Sequence, residues 1–156
     1  MQKHKNFDLI TTKFYASQIL LLCEYLLQKG VQNPPLVPEQ MLLGYDGYLA
    51  LLPLNSSELD VNYVGNKQYF LSLLMIKIVA PEVLGGGTFT DKSLSFVLGV
   101  FIYEMLVGLP PFYDQMKGVD YTKELKFPKL SEDSVNFLKQ VYESADYQLL
   151  INSCWR

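Results

Sequence analysis

Apolar residues recur along the chain in helical and strand-like rhythms, and Gly and Pro mark the breaks between them. Tyr15, Ile19, Leu22 and Leu26 follow at steps of four, three and four, which lines one face of a helix spanning 7–29 with Lys29-Gly30 as its stop. Three prolines between Asn33 and Pro38 exclude regular structure there. Met41-Leu42-Leu43 and Tyr48-Leu49-Ala50-Leu51 flank a turn containing Asp46-Gly47, the pattern of a short hairpin. Residues 55–68 are polar and loop-like, whereas Tyr69 to Val79 is apolar and fits strand or helix equally on periodicity. Beyond Gly85-Gly86-Gly87, Asp91 or Ser93 caps a central helix that runs to about Val107, and Gly108-Leu109-Pro110-Pro111 ends it. Residues 113–128 are weakly patterned. A last helix begins at Ser131, with Glu132 and Asp133 at its positive end and Val135, Leu138 and Val141 facing the core.

Composition narrows the class. A chain of 156 residues suits one domain with a sizeable core, and a hydrophobic share of 49% with eleven Tyr and nine Phe is too apolar for disorder. The apolar stretch from Leu94 to Val107 is broken by Ser95 and Glu104 and is shorter than the roughly 20 residues of a membrane span. It reads as a buried helix, so no membrane association is expected. A net charge of -3 with scattered lysines gives no attraction to nucleic acid. Cys23, Cys154 and His4 offer neither a disulfide framework nor metal-ligand spacing, and the start, Met1 to Asp8, lacks the layout of a secretory signal. These features predict reduced thiols in an intracellular, cytoplasmic protein. The only arginine is Arg156, although arginine supplies most bidentate recognition of phosphate.

Phe14-Tyr15-Ala16-Ser17-Gln18-Ile19, Pro38-Glu39-Gln40-Met41-Leu42-Leu43, Ala80-Pro81-Glu82 and the run from Leu98 to Phe112, in this order, resemble the large lobe of Ser/Thr protein kinases, particularly the AGC group. Phe14-Tyr15-Ala16-Ser17-Gln18-Ile19 with Glu24-Tyr25-Leu26 is similar to the helix leading into a kinase catalytic loop. Pro38-Glu39-Gln40-Met41-Leu42-Leu43 and Tyr45-Asp46-Gly47-Tyr48 resemble the end of that loop and the hairpin behind it. Ala80-Pro81-Glu82 resembles the motif closing the activation segment, and Leu98 to Phe112 is nearly the family's wording for the central helix and its exit. The resemblance implies a mainly α fold, a kinase-like C-terminal lobe with one or two short β-hairpins. It would occupy residues 7–150, with 151–156 as a tail and no N-terminal lobe.

The same alignment assigns positions to the family's catalytic groups. The His-Arg-Asp triplet, whose Asp accepts the substrate proton, falls on Asn33-Pro34-Pro35, and the metal-ligating Asn falls on Gln40. The Asp-Phe-Gly triplet falls on Pro53-Leu54-Asn55. Neither Pro35 nor Pro53 can accept a proton or hold a metal, and Gln40 extends its amide by one methylene. The implied expectation is a chain that is not an enzyme, with no catalytic, cofactor-binding or metal-binding residue and no cofactor. The activation-loop threonine position falls on Leu71, and the Asp that opens the family's central helix falls on Leu94 or Ser95. The usual partner of Glu82, an Arg, falls on Leu149, so Glu82 is expected to be partly exposed or reached by another cation such as Arg156.

Three functional readings follow from different classes. One is an inert pseudokinase-like module that binds a protein through the surface a small lobe would cover. Another is an ATP-dependent phosphotransferase that borrows a small lobe from a second chain. The third is a truncated kinase remnant without function. The partner and the oligomeric state stay open at this point.

Overall fold

The computed structural model describes residues 6–31, 36–52, 77–114 and 118–143. In chain order the elements are helix α1 (Leu9–Gln28), a 3-10 turn (Pro38–Gln40), strands β1 (Met41–Leu43) and β2 (Leu49–Leu51), helices α2 (Pro81–Leu84) and α3 (Asp91–Val107), strands β3 (Tyr113–Asp114) and β4 (Gly118–Val119), and helix α4 (Glu132–Glu143). The fold is mainly α with two short antiparallel hairpins, as the resemblance implied. Residues 53–76, which include most of the apolar stretch of undecided type, lie outside the described residues.

Helix α3 is the axis of the core. Its sequence is apolar on nearly every side, and a helix of that kind is stable only when surrounded. Leu94, Leu98, Val100 and Ile102 are at most 1% exposed, and α1 and α4 both pack against α3. Close approach of α4 depends on Gly99: a Cβ there would lie 2.7 Å from Cε1 of Tyr142. No helix among the described residues is long and apolar enough to cross a membrane.

The helix ends show why the chain turns where it does. Asp8 caps α1 by accepting a hydrogen bond from the Thr11 N–H at 2.7 Å, and that bond holds its carboxyl below the ordinary value. At the other end, Gly30 N–H donates to Leu27 C=O and Val31 N–H donates to Leu26 C=O, both at 3.0 Å, the paired closure of a Schellman motif. The central helix is capped by Thr90 rather than by Asp91 or Ser93. Ser93 sits at the third helical position and completes a capping box, its hydroxyl accepting from Thr90 N–H at 3.0 Å. Helix α4 starts with Ser131, whose hydroxyl accepts from Ser134 N–H.

Two predicted core faces are displaced. The buried residues of α1 are Thr12, Ala16, Ser17, Ile19, Leu20, Cys23 and Leu26, while Tyr15 and Leu22 are only half-buried. On α4, Phe137 joins Leu138 and Val141 in the core and Val135 is half-buried. The 3-10 turn begins at Pro38, so the proline-rich stretch ends in a helical turn for which the fixed proline φ is suited.

Candidate functional site

The residues that the kinase resemblance makes relevant converge on the β1–β2 hairpin and the turn before it. Met41 pairs with Leu51, Leu42 with Ala50 and Leu43 with Leu49. Gly44 N–H donates to Tyr48 C=O at 2.8 Å and Gly47 N–H to Gly44 C=O at 3.0 Å. Gly47 has φ 82°, the left-handed conformation that a three-residue hairpin loop requires at its last position. The Asp46 carboxylate accepts from Tyr48 N–H at 3.1 Å, which fixes the turn from within.

Helix α1 holds this hairpin in place. The Gln18 side-chain oxygen accepts from Leu49 N–H at 2.8 Å, and the Phe14 and Tyr48 rings lie 5.7 Å apart. A two-stranded hairpin is marginal in water without such support. The sequence contains Gln18 in a recognisable phrase, but a contact across 31 residues carries no local signal.

Of the expected site positions, the structure describes Gln40 and leaves Pro35 and Pro53 outside the described residues. Gln40 ends the 3-10 turn; its N–H donates to Val37 C=O at 3.0 Å and its C=O accepts from Leu52 N–H at 2.8 Å. Its side-chain Oε1 is buried and accepts no hydrogen bond among the described residues. A recess of about 210 Å³ lies beside this turn, lined by Phe7, Pro38, Phe101, Glu104 and Met105. It is smaller than the 300–1,000 Å³ of typical small-molecule pockets.

The closing-motif residue Glu82 lies at the start of α2 and is exposed. It accepts a hydrogen bond from the fully buried Ser93 at 2.5 Å, and so ties α2 to the cap of α3. Its charge also helps burial raise the Tyr121 phenol to about 12. Leu94 and Ser95 are both buried, and the Ser95 hydroxyl donates to Asp91 C=O at 3.0 Å. Residues Leu71, Leu149 and Arg156 lie outside the described residues. Cys23 is buried, and burial pushes its thiol up to about 12, whereas Cys154 is not among the described residues.

The order of α1, hairpin, closing-motif helix, buried central helix and final helix defines a kinase-like large lobe. No protein-family model matches the chain. It is 35% identical over 128 residues to the serine/threonine protein kinase ypkA of Aspergillus fumigatus, covering 82% of this chain and 20% of that protein. It is 33% identical over 136 residues to the serine/threonine-protein kinase gad8 of Schizosaccharomyces pombe, 87% of this chain and 24% of the relative. With the RAC family serine/threonine-protein kinase homolog of Dictyostelium discoideum it shares 31% identity, over 92% of this chain and 33% of the relative. The chain is a homologue of the AGC-group Ser/Thr protein kinases, and it spans a fifth to a third of the length of these relatives.

These comparisons correct the expectation that the chain is not an enzyme. The relatives are named as Ser/Thr protein kinases, and none of those names speaks for inactivity. The expectation placed the catalytic triplets on 33–35 and 53–55, which lie outside the described residues. Loops tolerate insertions and deletions, so a count through them does not fix which residue occupies a catalytic position.

Proposed function

We propose that the chain serves as the large-lobe half of a Ser/Thr protein kinase unit and acts through protein–protein contact, presenting its β1–β2 hairpin to a partner of the kinase small-lobe type. One observation carries the reading: Leu42 and Leu43, adjacent on β1, are 50% and 61% exposed. Adjacent strand residues point to opposite faces, and a hairpin held to a core normally hides one of them. Here both faces present leucine to solvent, and Tyr45 and Tyr48 extend the apolar surface around the turn. An exposed apolar surface of this kind marks an interaction site.

The test is calorimetric titration of the chain with the isolated small lobe of an AGC-group kinase. Saturable binding is expected, weakened about ten-fold or more by Leu43→Asp, a change at an exposed position that leaves the thermal midpoint in place. Absence of binding by the unaltered chain, or equal binding by the variant, would overturn the proposal.

A further inference from the structure

Strands β1 and β2 form a two-stranded sheet, so each has an outer edge. The hydrogen bonds determine which groups face those edges. Gly44 N–H donates to Tyr48 C=O and Leu52 N–H to Gln40 C=O, both at 2.8 Å, which makes 44/48 and 40/52 hydrogen-bonded pairs. Bonded and non-bonded pairs alternate along an antiparallel ladder, so Leu42 bonds with Ala50, while the pairs 41/51 and 43/49 turn their N–H and C=O groups outward. Leu49 has this parity: its N–H leaves the sheet and donates to the Gln18 side chain at 2.8 Å.

The two edges differ. Gln18 occupies the edge of β2, where a third strand would otherwise bond. On β1, Met41 N–H donates to Pro38 C=O, but Leu43 N–H, Leu43 C=O and Met41 C=O have no hydrogen-bond partner among the described residues. Leu43 is exposed. Native sheets guard an open edge with a charge, a proline or a bulge, and Met41-Leu42-Leu43-Gly44 carries no charge and no proline and pairs without a bulge. One donor and two acceptors at alternate positions along a strand are the pattern that an extended backbone satisfies.

We propose that a β-strand of the small-lobe-type partner adds to the outer edge of β1, bonding to Leu43 N–H, Leu43 C=O and Met41 C=O. The inference rests on the hairpin reading and states how the partner is held there. The edge lies between the two leucine-bearing faces of the hairpin, so a segment of the partner that covers those faces is continuous with it. Successive side chains of the added strand fall beside Leu42 on one face and Leu43 on the other, which calls for apolar residues at adjacent positions rather than at every second one.

Amide hydrogen exchange of the 156-residue chain, alone and saturated with the isolated small lobe of an AGC-group kinase, tests it. Leu43 N–H is expected to exchange freely in the chain alone and about ten-fold or more slowly in the complex, with Leu49 N–H slow in both. Leu43→Pro and Leu43→Ala supply a second measurement. Both shorten the side chain and only proline removes the outward N–H, a change that an edge strand accepts. The proline variant is expected to bind the small lobe about five-fold more weakly than the alanine variant, and circular dichroism melts establish that both are folded. Binding with an unchanged Leu43 exchange rate, or equal binding by the two variants, would overturn the strand addition and leave the hairpin reading standing. Absence of binding would overturn both. Protection of Leu43 that appears in the chain alone as its concentration rises would assign the edge to a second copy and so overturn the proposal.

Discussion

Tyr142 presents a hydroxyl where the core has no use for one. Its ring packs against Gly99 and meets the edges of Phe96 and Phe112 at centroid distances of 6.2 and 6.4 Å. The hydroxyl oxygen is buried without a hydrogen-bond partner among the described residues, and burial drives its pKa far above the ordinary phenol value. An unpaired buried hydroxyl costs about 1–3 kcal/mol. Tyr142→Phe keeps the ring and removes that cost, so the urea midpoint is expected to rise by the equivalent of about 1 kcal/mol. Tyr103 and Tyr121 supply the controls, because their hydroxyls donate to Lys126 C=O at 2.6 Å and to Val79 C=O at 2.8 Å. Phe at either of those positions is expected to lower the midpoint by a similar amount. A destabilised Tyr142→Phe would mean that the hydroxyl has a partner in solution. Nothing in the sequence distinguishes these three tyrosines, since what separates them is a contact with a residue far along the chain.

Between elements, Ser93 is the joint. Its hydroxyl accepts from Thr90 N–H and donates to Glu82, so one side chain closes the cap of α3 and anchors α2. Ser93→Ala is expected to cost about 1 kcal/mol, most of it from the lost reciprocal bond to Thr90 N–H, because Thr90 still caps the helix and exposed Glu82 regains water. In a Glu82→Ala background the same change should cost less, and the difference in thermal unfolding free energy measures the coupling. Sequence signals located α1, α3, α4 and the first hairpin, because stops such as Lys29-Gly30 and Gly108-Leu109-Pro110 act locally. The same signals placed the buried face of α1 about 60° away from where it lies. The cause is a second, exposed apolar stripe of Ile10, Phe14, Leu21 and Tyr25: with apolar residues on both sides of the helix, steps of three and four fit more than one phase. The cap at Thr90 was displaced for a related reason, since Thr90, Asp91 and Ser93 are all competent capping residues and only the chain direction before them decides.

At the scale of the whole molecule, the family and its fold were legible because phrases such as Ala80-Pro81-Glu82 and Leu98 to Phe112 sit in elements whose packing ties residue type to position. The catalytic positions Pro35 and Pro53 were assigned across loops, where length varies freely, and both lie outside the described residues. Chemistry that belongs to the core as a whole is better defined. Burial raises the Cys23 thiol from 9.0 to about 12 and the Tyr121 phenol from 10.0 to about 12, and it raises Tyr103 and Tyr142 as well. All four shifts have the same sign. Each group is neutral in the folded chain over a range in which the unfolded chain ionises, so the unfolded state binds fewer protons there and unfolding becomes easier as pH rises. Stability from these groups is complete below about pH 9 and is lost progressively toward pH 12, with Cys23 alone contributing a slope of up to about 1.4 kcal/mol per pH unit. Urea unfolding followed from pH 8 to 11 should show a flat midpoint up to pH 9 and a steepening fall above it. Cys23→Ala should make that fall begin later, near the ordinary phenol range. A midpoint independent of pH across this interval would mean that the thiol and phenols are solvated in the folded chain, which would contradict the packing of α1 and α4 on α3.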